Sequence, residues 1–297
     1  MDDISQKKIV IAAVTMNCTK KKGENLEKYR KFIEEAAASG TRLIVFPEIS
    51  LQGHVWDMVG ETTKEEESYH YENAEPIPGQ STQIVAKEAQ KFKMYVIFGM
   101  TEKATVRGKT ELYDSCVLVG PDGLIGTYRK VHTVGNEVRL FKKGECWPVY
   151  GTEIGKIGML SCYDRVFPES TRELALQGAD ILAILNAWSV GTDDPEPAYW
   201  GSLGSLIDRA RAFENQCWII SSNQTEWQKK GGLEYYGHSR IVSPNGLVVA
   251  EGGYGEGLVT AEVDIQGEIQ KTRTVTFFGL NFLNDRRVET YKELLKK

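Results

Sequence analysis

The sequence predicts an α/β fold. Short apolar runs bounded by glycine or proline, which are typical of buried strands, alternate with amphipathic stretches that end at glycine. The chain has 297 residues, which suffices for one large domain with a substantial core. No internal repeat, low-complexity tract or linker interrupts the pattern, so we expect a single domain over residues 1–297.

The first part of the chain predicts strand, helix and strand in turn. Lys8 to Met16 has the pattern of a strand and Gly23 to Ser39 that of a helix with a glycine stop after it. Leu43 to Phe46 predicts a second buried strand. This strand ends at Glu48, so it places a carboxylate where α/β folds commonly build sites, although a solvated loop acid would fit the same pattern.

Leu51 to Pro78 is interpreted as a loop or lid that flanks an active site. The stretch has no clean period, carries the acidic cluster 65–67 and mixes in two histidines with several aromatic residues. Loops of this length inside a compact domain are usually functional or disordered, and the aromatic residues favour a functional loop.

A helix and a hairpin are predicted next. Ser81 to Lys93 indicates a helix with Ser81 as its N-cap, and Met94 to Met100 indicates a strand. Two further strands, Asp114 to Val119 and Leu124 to Lys130, flank a Gly-Pro-Asp-Gly turn. Lys130 therefore lies at a strand end, where a lysine taken alone is most often a surface charge. The following stretch, 133–148, is irregular and contains Glu137.

A single cysteine in the next strand is the candidate nucleophile. The apolar run from Lys156 stops at Cys162, and the chain restarts as a helix at Pro168. A strand-to-helix turn exposes the side chain at its apex and leaves nearby backbone N–H groups, including that of Tyr163, available to a negative oxygen. The helix start is also expected to favour the thiolate. A buried structural cysteine is the competing interpretation.

The remaining elements continue the alternation. The predicted segments are a helix at 168–177, a strand at 181–185, a helix at 199–215, a strand at 217–222, a hairpin at 239–250 and a strand at 258–263. Residues 266–297 start as a helix and end in charged residues. We interpret them as a C-terminal arm that docks on a partner subunit.

Composition excludes several classes of partner and site. The 36 lysines and arginines against 41 acidic residues give a net charge of −5, which does not favour nucleic acid or an anionic membrane. The acidic amino-terminal residues and the absence of a long apolar run predict a cytoplasmic protein. The five cysteines are widely spaced and form no CxxC pair, so we expect reduced thiols and no metal.

Glu48, Lys130 and Cys162 all end predicted strands, and together they are a sufficient set for acyl transfer. A thiol needs a base, an oxyanion needs donors, and a leaving amine needs a proton. The chain resembles the nitrilase, or carbon–nitrogen hydrolase, superfamily in three motifs that occur in the family's order. These motifs are Phe46-Pro47-Glu48, Tyr128-Arg129-Lys130-Val131-His132, and Cys162-Tyr163-Asp164 with Phe167-Pro168-Glu169; Asp285-Arg286-Arg287 and Tyr291 also resemble the family's tail.

The resemblance implies a four-layer α-β-β-α sandwich that forms a homodimer or higher homo-oligomer. It implies Glu48 as general base, Cys162 as nucleophile, and Lys130 with the Tyr163 N–H as oxyanion donors. Glu137 is similar to an additional family glutamate that positions substrate. The implied reaction passes through a thioester, releases ammonia from a small-molecule amide, and needs no cofactor.

Substrate choice is left open by the motifs. True nitrilases usually carry tryptophan and glutamate after the nucleophile, whereas Tyr163-Asp164 is more similar to the amidase and carbamoylase branches. N-carbamoyl-D-amino-acid hydrolases typically carry two adjacent arginines there, but only Arg165 is present. Arg165 is expected either to bind a carboxylate or to form a structural ion pair. We favour a small-amide amidase over a carbamoyl hydrolase or a nitrilase.

His132 and Trp188 complete the predicted substrate-binding set with Tyr163 and Arg165, although each also has a structural interpretation. Three more aromatic residues, Trp56, Tyr199 and Trp200, are weaker candidates for pocket contact. A catalytically silent scaffold homologue is the competing class of function, and the intact Glu48, Lys130 and Cys162 favour an enzyme over it. A module that feeds ammonia to a synthetase would need a partner chain.

Overall fold

The computed structural model describes residues 8–54, 63–191, 197–228 and 233–295. Its strands are β1 Ile9–Met16, β2 Thr41–Val45, β3 Tyr95–Val106, β4 Lys109–Gly120, β5 Gly123–Arg129, β6 Val149–Thr152, β7 Gly155–Ser161, β8 Ile181–Asn186, β9 Ser189–Gly191, β10 Trp218–Gln228, β11 Leu233–Tyr236, β12 Arg240–Val242, β13 Val248–Glu251 and β14 Gly257–Val263. Its α-helices are α1 Lys22–Ala38, α2 Lys64–Asn73, α3 Gln80–Phe92, α4 Glu137–Leu140, α5 Pro168–Leu176, α6 Pro197–Asn215 and α7 Ile265–Thr274.

One continuous sheet joins most of the strands. Its main path runs β5-β4-β3-β2-β1-β10-β8-β7-β6, and β14 adds to β1 in antiparallel pairing. Strands β1, β2, β3, β7, β8 and β10 run parallel where they pair, because helices return the chain between them. The C-terminal ends of these strands therefore meet at one edge of the sheet.

The two halves of the sheet fold face to face and form the inner core. Alternate residues of each strand point inward: Leu43 and Val45 of β2 share a buried cluster with Ile157 and Met159 of β7. The Cys116 thiol of β4 reaches the backbone carbonyl of β7 across this interface, at 3.9 Å. Side chains on the outer faces pack under helices, α1 and α3 on one side and α5 and α6 on the other. The predicted α-β-β-α sandwich is confirmed.

The loop that follows β2 depends on a glycine in the neighbouring strand. A Cβ added to Gly99 of β3 would lie 2.4 Å from the Ile49 nitrogen and 2.7 Å from the Pro47 carbonyl oxygen. The backbone around Glu48 therefore packs directly on β3. Leu51 continues this contact, since its N–H donates to the Gly99 carbonyl at 3.1 Å.

The predicted lid is wrong in part, because its second half is the helix α2. Thr63 caps α2 by accepting a hydrogen bond from the Glu66 N–H, so the acidic cluster forms the helix's first turn. The buried face of α2 is polar and includes Glu66 and His70, so no apolar period indicated a helix. Residues 51–54 begin the predicted lid and include His54, whereas residues 55–62 lie outside the described residues.

One further local prediction needs correction. Ser81 is not an N-cap: α3 begins after Gly79, and the Ser81 N–H and hydroxyl both donate to the Glu75 carboxylate. The predicted helical start of the C-terminal arm is α7, whose Ile265 and Ile269 lie in the inner core.

In the described ranges, no helix is long and apolar enough to cross a membrane.

Candidate active site

Glu48 lies in the loop after β2, where it is almost completely buried. Its Oε2 accepts a hydrogen bond from the Ala187 N–H at 2.9 Å, and its Oε1 accepts from the Ser161 hydroxyl at 2.8 Å. Lys130 donates directly to the same Oε1. The carboxylate is thus held by groups that follow or end β5, β7 and β8, and its orientation is fixed on both oxygens.

Lys130 follows β5 and is the buried cation of the site. Its Nζ lies 2.8 Å from Glu137 Oε2 and 3.5 Å from Asp114 Oδ2, in addition to its bond to Glu48. The backbone N–H of Lys130 donates to the Asp114 carbonyl at 2.9 Å, and its carbonyl accepts from Gly144 at 2.7 Å. This lysine is therefore fixed at the backbone and is no surface charge.

Cys162 begins a short 3₁₀ helix, Cys162–Val166, directly after β7. Its φ of 37° lies in the left-handed region, which non-glycine residues rarely adopt. Residues in this conformation cluster at functional sites because surrounding contacts must maintain the strain. The predicted strand-to-helix turn at Cys162 is confirmed, and the Tyr163 N–H lies in the first turn of the 3₁₀ helix.

Burial outweighs the helix start that was expected to favour the thiolate of Cys162. Burial raises the pKa of the Cys162 thiol well above its ordinary value, and the negative Glu48 raises it further. Lys130, Arg165 and a hydrogen bond from the Ala187 N–H oppose this shift without overcoming it. The thiol is therefore neutral in the resting site and needs a base before it can act as a nucleophile.

The carboxylate of Glu48 is ionised in the resting site. Burial alone would raise its pKa, but the charges of Lys130 and His54 and hydrogen bonds from Asp114 and Lys130 together lower it to about 2. For Lys130 burial acts in the opposite direction and would lower the pKa. The negative charges of Glu137, Glu48 and Asp114 overcome this effect and raise the pKa of Lys130 well above its ordinary value. The site thus holds an ion pair beside a neutral thiol.

A cavity of about 200 Å³ opens onto these groups. Its lining residues are Glu48, His54, Val134, Glu137, Cys162, Tyr163, Ala187, Trp188 and Ser189. The lining therefore presents a thiol and two carboxyl groups to a bound molecule. Within the described residues it contributes no arginine or lysine side chain.

Three of the lining residues also have the chemistry of metal ligands. Ligand atoms of Glu48, His54 and Glu137 lie within 4.8 Å of one another. The Lys130 ammonium contacts both glutamates directly, so it already supplies a positive charge at this position. The geometry therefore fits an ammonium centre better than a divalent ion.

His132, one of the predicted substrate-binding residues, lies away from the cavity. It stacks on Phe167 with ring centroids 4.0 Å apart, and its Nδ1 lies 2.9 Å from Asp164 Oδ1. Asp164 is buried and also accepts from the Tyr128 hydroxyl at 2.6 Å and the Ser161 N–H at 3.2 Å. These contacts brace the turn that carries Cys162, so His132 supports the turn and does not line the cavity.

Arg165 also lies away from the cavity and forms a structural ion pair, the second of its two expected roles. Its guanidinium donates to Asp208 at 2.7 Å and is 1% exposed. It also lies 4.6 Å from the centroid of the Trp188 ring. Since Trp188 and Tyr163 do line the cavity, Arg165 supports the cavity wall from behind and is not itself a lining residue.

Three functional residues were missed by sequence reasoning. His54 lines the cavity, with its Nε2 3.0 Å from Glu137 Oε1 and its Nδ1 3.3 Å from the Tyr235 hydroxyl. Asp114 and Ser161 lie behind Glu48. The available signals were the position of His54 in the stretch interpreted as flanking an active site and an acidic residue in the strand that became β4.

The three weaker aromatic candidates gain no support from the described residues. Trp56 and the Trp200 side chain lie outside the described parts of the chain. Tyr199 is 53% exposed on α6 and does not line the cavity. Tyr163 and Trp188 are therefore the aromatic residues that form the described cavity wall.

A family comparison agrees with this geometry. The model of the carbon–nitrogen hydrolase family matches residues 10–273, which span nearly the whole of the sandwich. The chain therefore belongs to the carbon–nitrogen hydrolase family.

Individual relatives cover most of the chain. A probable nitrilase of Schizosaccharomyces pombe is 33% identical over 280 residues, covering 91% of this chain and 92% of the relative. An omega-amidase of Xenopus laevis is 33% identical over 255 residues, covering 82% and 84%. Among solved structures, Nit3 of Saccharomyces cerevisiae has a TM-score of 0.76 and 29% identity, covering 91% and 95%. A carbon–nitrogen hydrolase from Helicobacter pylori has a TM-score of 0.84 at 24% identity, covering 98% and 99%, which supports the fold.

The buried ion pair generates a prediction about stability and pH. Lys130→Met leaves Glu48 and Glu137 buried without their ammonium partner, so we expect a loss of about 3–5 kcal/mol in the free energy of unfolding at neutral pH. Without Lys130, burial raises the pKa of Glu48 above its unfolded value of 4.5, so the variant gains stability as pH falls and carboxyl groups protonate. Urea denaturation at two pH values measures this difference.

Lys142→Met is the matched control, because Lys142 is exposed. Its free energy of unfolding should follow that of the wild type at both pH values. A Lys130→Met deficit that stayed constant or grew on acidification would contradict the assigned ion pair.

Proposed function

We propose that this protein is a thiol-dependent amidohydrolase that cleaves the C–N bond of a small linear amide to an acid and ammonia. The observation that carries the proposal is that Cys162 and Glu48 line one cavity while the Lys130 ammonium is bonded to Glu48 directly behind its wall. An ionised base, a neutral thiol beside it and a buried ammonium are the three parts that thiol-based acyl transfer needs.

The first half of the reaction forms an acyl-enzyme. Glu48 and Cys162 line the same cavity, and the Ala187 N–H holds Glu48 Oε2 in place there, so we assign to this carboxylate the removal of the thiol proton. The sulfur attacks the amide carbonyl, and the carbonyl electron pair moves onto oxygen. Lys130 and the Tyr163 N–H stabilise this oxyanion. When the oxyanion collapses, the C–N bond breaks and Glu48 returns its proton to the leaving nitrogen, which departs as ammonia.

The second half hydrolyses the thioester. Glu48 is ionised again, takes a proton from water, and the resulting hydroxide adds to the thioester carbonyl. Collapse of the second tetrahedral intermediate breaks the C–S bond, and the proton returns to the Cys162 sulfur. Glu137, which contacts Lys130 and His54, orients the substrate amide beside the base.

The size and charge of the cavity favour a substrate with a small, uncharged acyl group. Its volume of about 200 Å³ lies below the roughly 300–1,000 Å³ of sites for drug-sized ligands. Glu48 and Glu137 line it, and a carboxylate on the substrate would be repelled by them. Arg165 is bound to Asp208 and does not offset this charge.

A second candidate substrate is an amide that carries a remote carboxylate. Its support is the likeness to omega-amidases from several vertebrates, including the Xenopus laevis relative described above. N-carbamoyl compounds and nitriles are weaker candidates, and the Schizosaccharomyces pombe relative named a probable nitrilase is the reason to test nitriles.

Ammonia release from a substrate panel tests the proposal. The panel contains short aliphatic amides, ω-amides, N-carbamoyl amino acids and nitriles. We expect the highest kcat/KM for a short neutral amide, and Cys162→Ala should lower it by at least about 10³-fold because the nucleophile is removed. Circular dichroism and the urea midpoint establish that the variant is folded.

Cys146→Ala is the matched control, since Cys146 is the exposed cysteine and lies outside the cavity. It should retain wild-type turnover. Full activity in Cys162→Ala would refute the mechanism, and a preference for carboxylate-bearing amides would select the second candidate. A folded wild type with no turnover on any compound would favour a catalytically silent scaffold.

We also propose that the protein forms a homodimer or larger homo-oligomer through α6 and the C-terminal arm. Exposed apolar residues recur at one face of α6 with a spacing of seven: Tyr199, Leu206 and Phe213. Phe213 packs on Phe282 of the arm with ring centroids 5.1 Å apart, so the apolar stripe continues onto the arm. The same surface on a second copy of the chain would cover the exposed apolar residues of α6 and of the arm.

Light scattering tests the oligomer. Leu206 is 59% exposed, so Leu206→Asp should leave the fold intact but place a charge in the interface and reduce the mass to that of a monomer. Leu124→Asp, at an exposed leucine of β5, is the control and should keep the wild-type mass. A monomeric wild type, or an unchanged mass for Leu206→Asp, would contradict the proposed interface.

The location and the remaining partners are proposed from the sequence. The free cysteines support a reducing, cytoplasmic location, and the net charge of −5 supports an enzyme that binds neither nucleic acid nor anionic membranes. Subcellular fractionation checks the location, and recovery of the protein with membranes would contradict it.

A further inference from the structure

Ser161 bridges two carboxyl groups behind the proposed base. Its Oγ lies 2.8 Å from Glu48 Oε1 and 2.8 Å from Asp114 Oδ2. All three side chains are at most 1% exposed, so bulk water does not separate them.

This geometry requires a proton on one of the carboxyl groups. A serine hydroxyl has one hydrogen and can donate it to only one of its two neighbours. The second short oxygen–oxygen contact needs a hydrogen too, and ionised carboxylates carry none. One of the two acids is therefore protonated in the resting site.

Two observations locate that proton on Asp114. Lys130 binds Glu48 directly but lies 3.5 Å from Asp114 Oδ2, so the ammonium stabilises the ionised form of Glu48 more strongly. Asp114 Oδ1 is buried and has no hydrogen-bond partner in the described part of the chain. An unpartnered oxygen is tolerated better on a neutral acid than on a carboxylate.

The surroundings of Asp114 are consistent with a neutral acid. Burial raises the pKa of Asp114 well above its ordinary value, and the negative charges of Glu48 and Glu137 add to this effect, whereas Lys130 opposes it. Cys116, on the same strand, and Asp164, which accepts from the Ser161 N–H, are further titratable groups nearby, and burial raises the pKa of the Cys116 thiol.

We propose that Asp114 carries a proton in the resting enzyme and, through Ser161, acts as a positioning residue that holds Glu48 ionised, with its second oxygen on the Ala187 N–H at the cavity that Cys162 also lines. The Asp114 hydroxyl donates to Ser161, and Ser161 donates to Glu48. This inference rests on the proposed function of Glu48 as the base. It adds two residues to the machinery beyond Glu48, Lys130 and Cys162.

Infrared spectroscopy of the resting enzyme tests the proton directly and needs no substrate. Protein labelled with carbon-13 at aspartate side chains should show the C=O stretch of a protonated aspartic acid at neutral pH. Asp114→Asn should lose this band. Identical carboxylic-acid regions in the wild type and Asp114→Asn would overturn the proposal.

Kinetics separate a neutral donor from a charged group. Asp114→Asn keeps a hydrogen-bond donor of the same shape, so we expect its kcat/KM to stay within about threefold of wild type. Asp114→Ala and Ser161→Ala each remove a hydrogen bond in the chain that ends on the charged Glu48, so their kcat/KM should fall about 10- to 100-fold. In Ser161→Ala, loss of the donor raises the pKa of Glu48, so the acid limb of kcat/KM should move about one unit to higher pH.

Ser115→Ala is the matched control. Ser115 is the next residue of β4, is equally buried, and its hydroxyl donates to Glu102 at 2.7 Å instead of to the site. It should change neither kcat/KM nor the acid limb. A loss above about 100-fold in Asp114→Asn would show that an ionised Asp114 is needed and would overturn the proposal. Absence of wild-type turnover would refute the proposed function, while the infrared result would still decide the proton.

Discussion

The site depends on one buried ammonium group. Lys130 contacts Glu48 and Glu137 and lies near Asp114, so a single positive charge compensates an acidic cluster that bulk water does not reach. Burial of carboxylates without such a cation would be strongly unfavourable. The same contact lowers the pKa of Glu48, so the proposed base is ionised while the Cys162 thiol beside it remains neutral.

The ammonium and the thiol come from opposite halves of the sandwich. Glu48 and Lys130 follow β2 and β5 in one half, whereas Cys162 and Ala187 follow β7 and β8 in the other. The inner core must pack correctly before these four residues meet at one edge of the sheet. Assembly of the site is thus coupled to packing of the two halves, and the positive φ of Cys162 is maintained by the contacts of Asp164 around the turn.

The residues that follow apolar strands could be predicted from the sequence. Glu48, Lys130 and Cys162 end strands whose apolar character is visible in the printed chain, and the order of the three motifs indicated the family. Arg165 could not be assigned, because its partner Asp208 lies on α6 and their contact exists only in the folded chain. His132 was placed wrongly for the same reason, since its position is set by Asp164 and the Phe167 ring.

Polar residues inside elements were the hardest to predict. Asp114 and His54 carry no motif of their own, and their roles follow from what surrounds them after folding. Helix α2 was missed because its buried face is polar, and the layers of the sandwich came from the family resemblance and not from periodicity. Strand and helix patterns therefore located the edge of the site but not the groups behind it.

The most direct test of the proposed mechanism is the identification of the acyl-enzyme. The enzyme is mixed with a short amide, quenched in acid within one turnover, digested and analysed by mass spectrometry. The mechanism predicts an acyl group on the peptide that contains Cys162, and its disappearance when the quench is delayed after substrate is exhausted. Rapid turnover with no adduct on Cys162, or with an adduct on another residue, would contradict it.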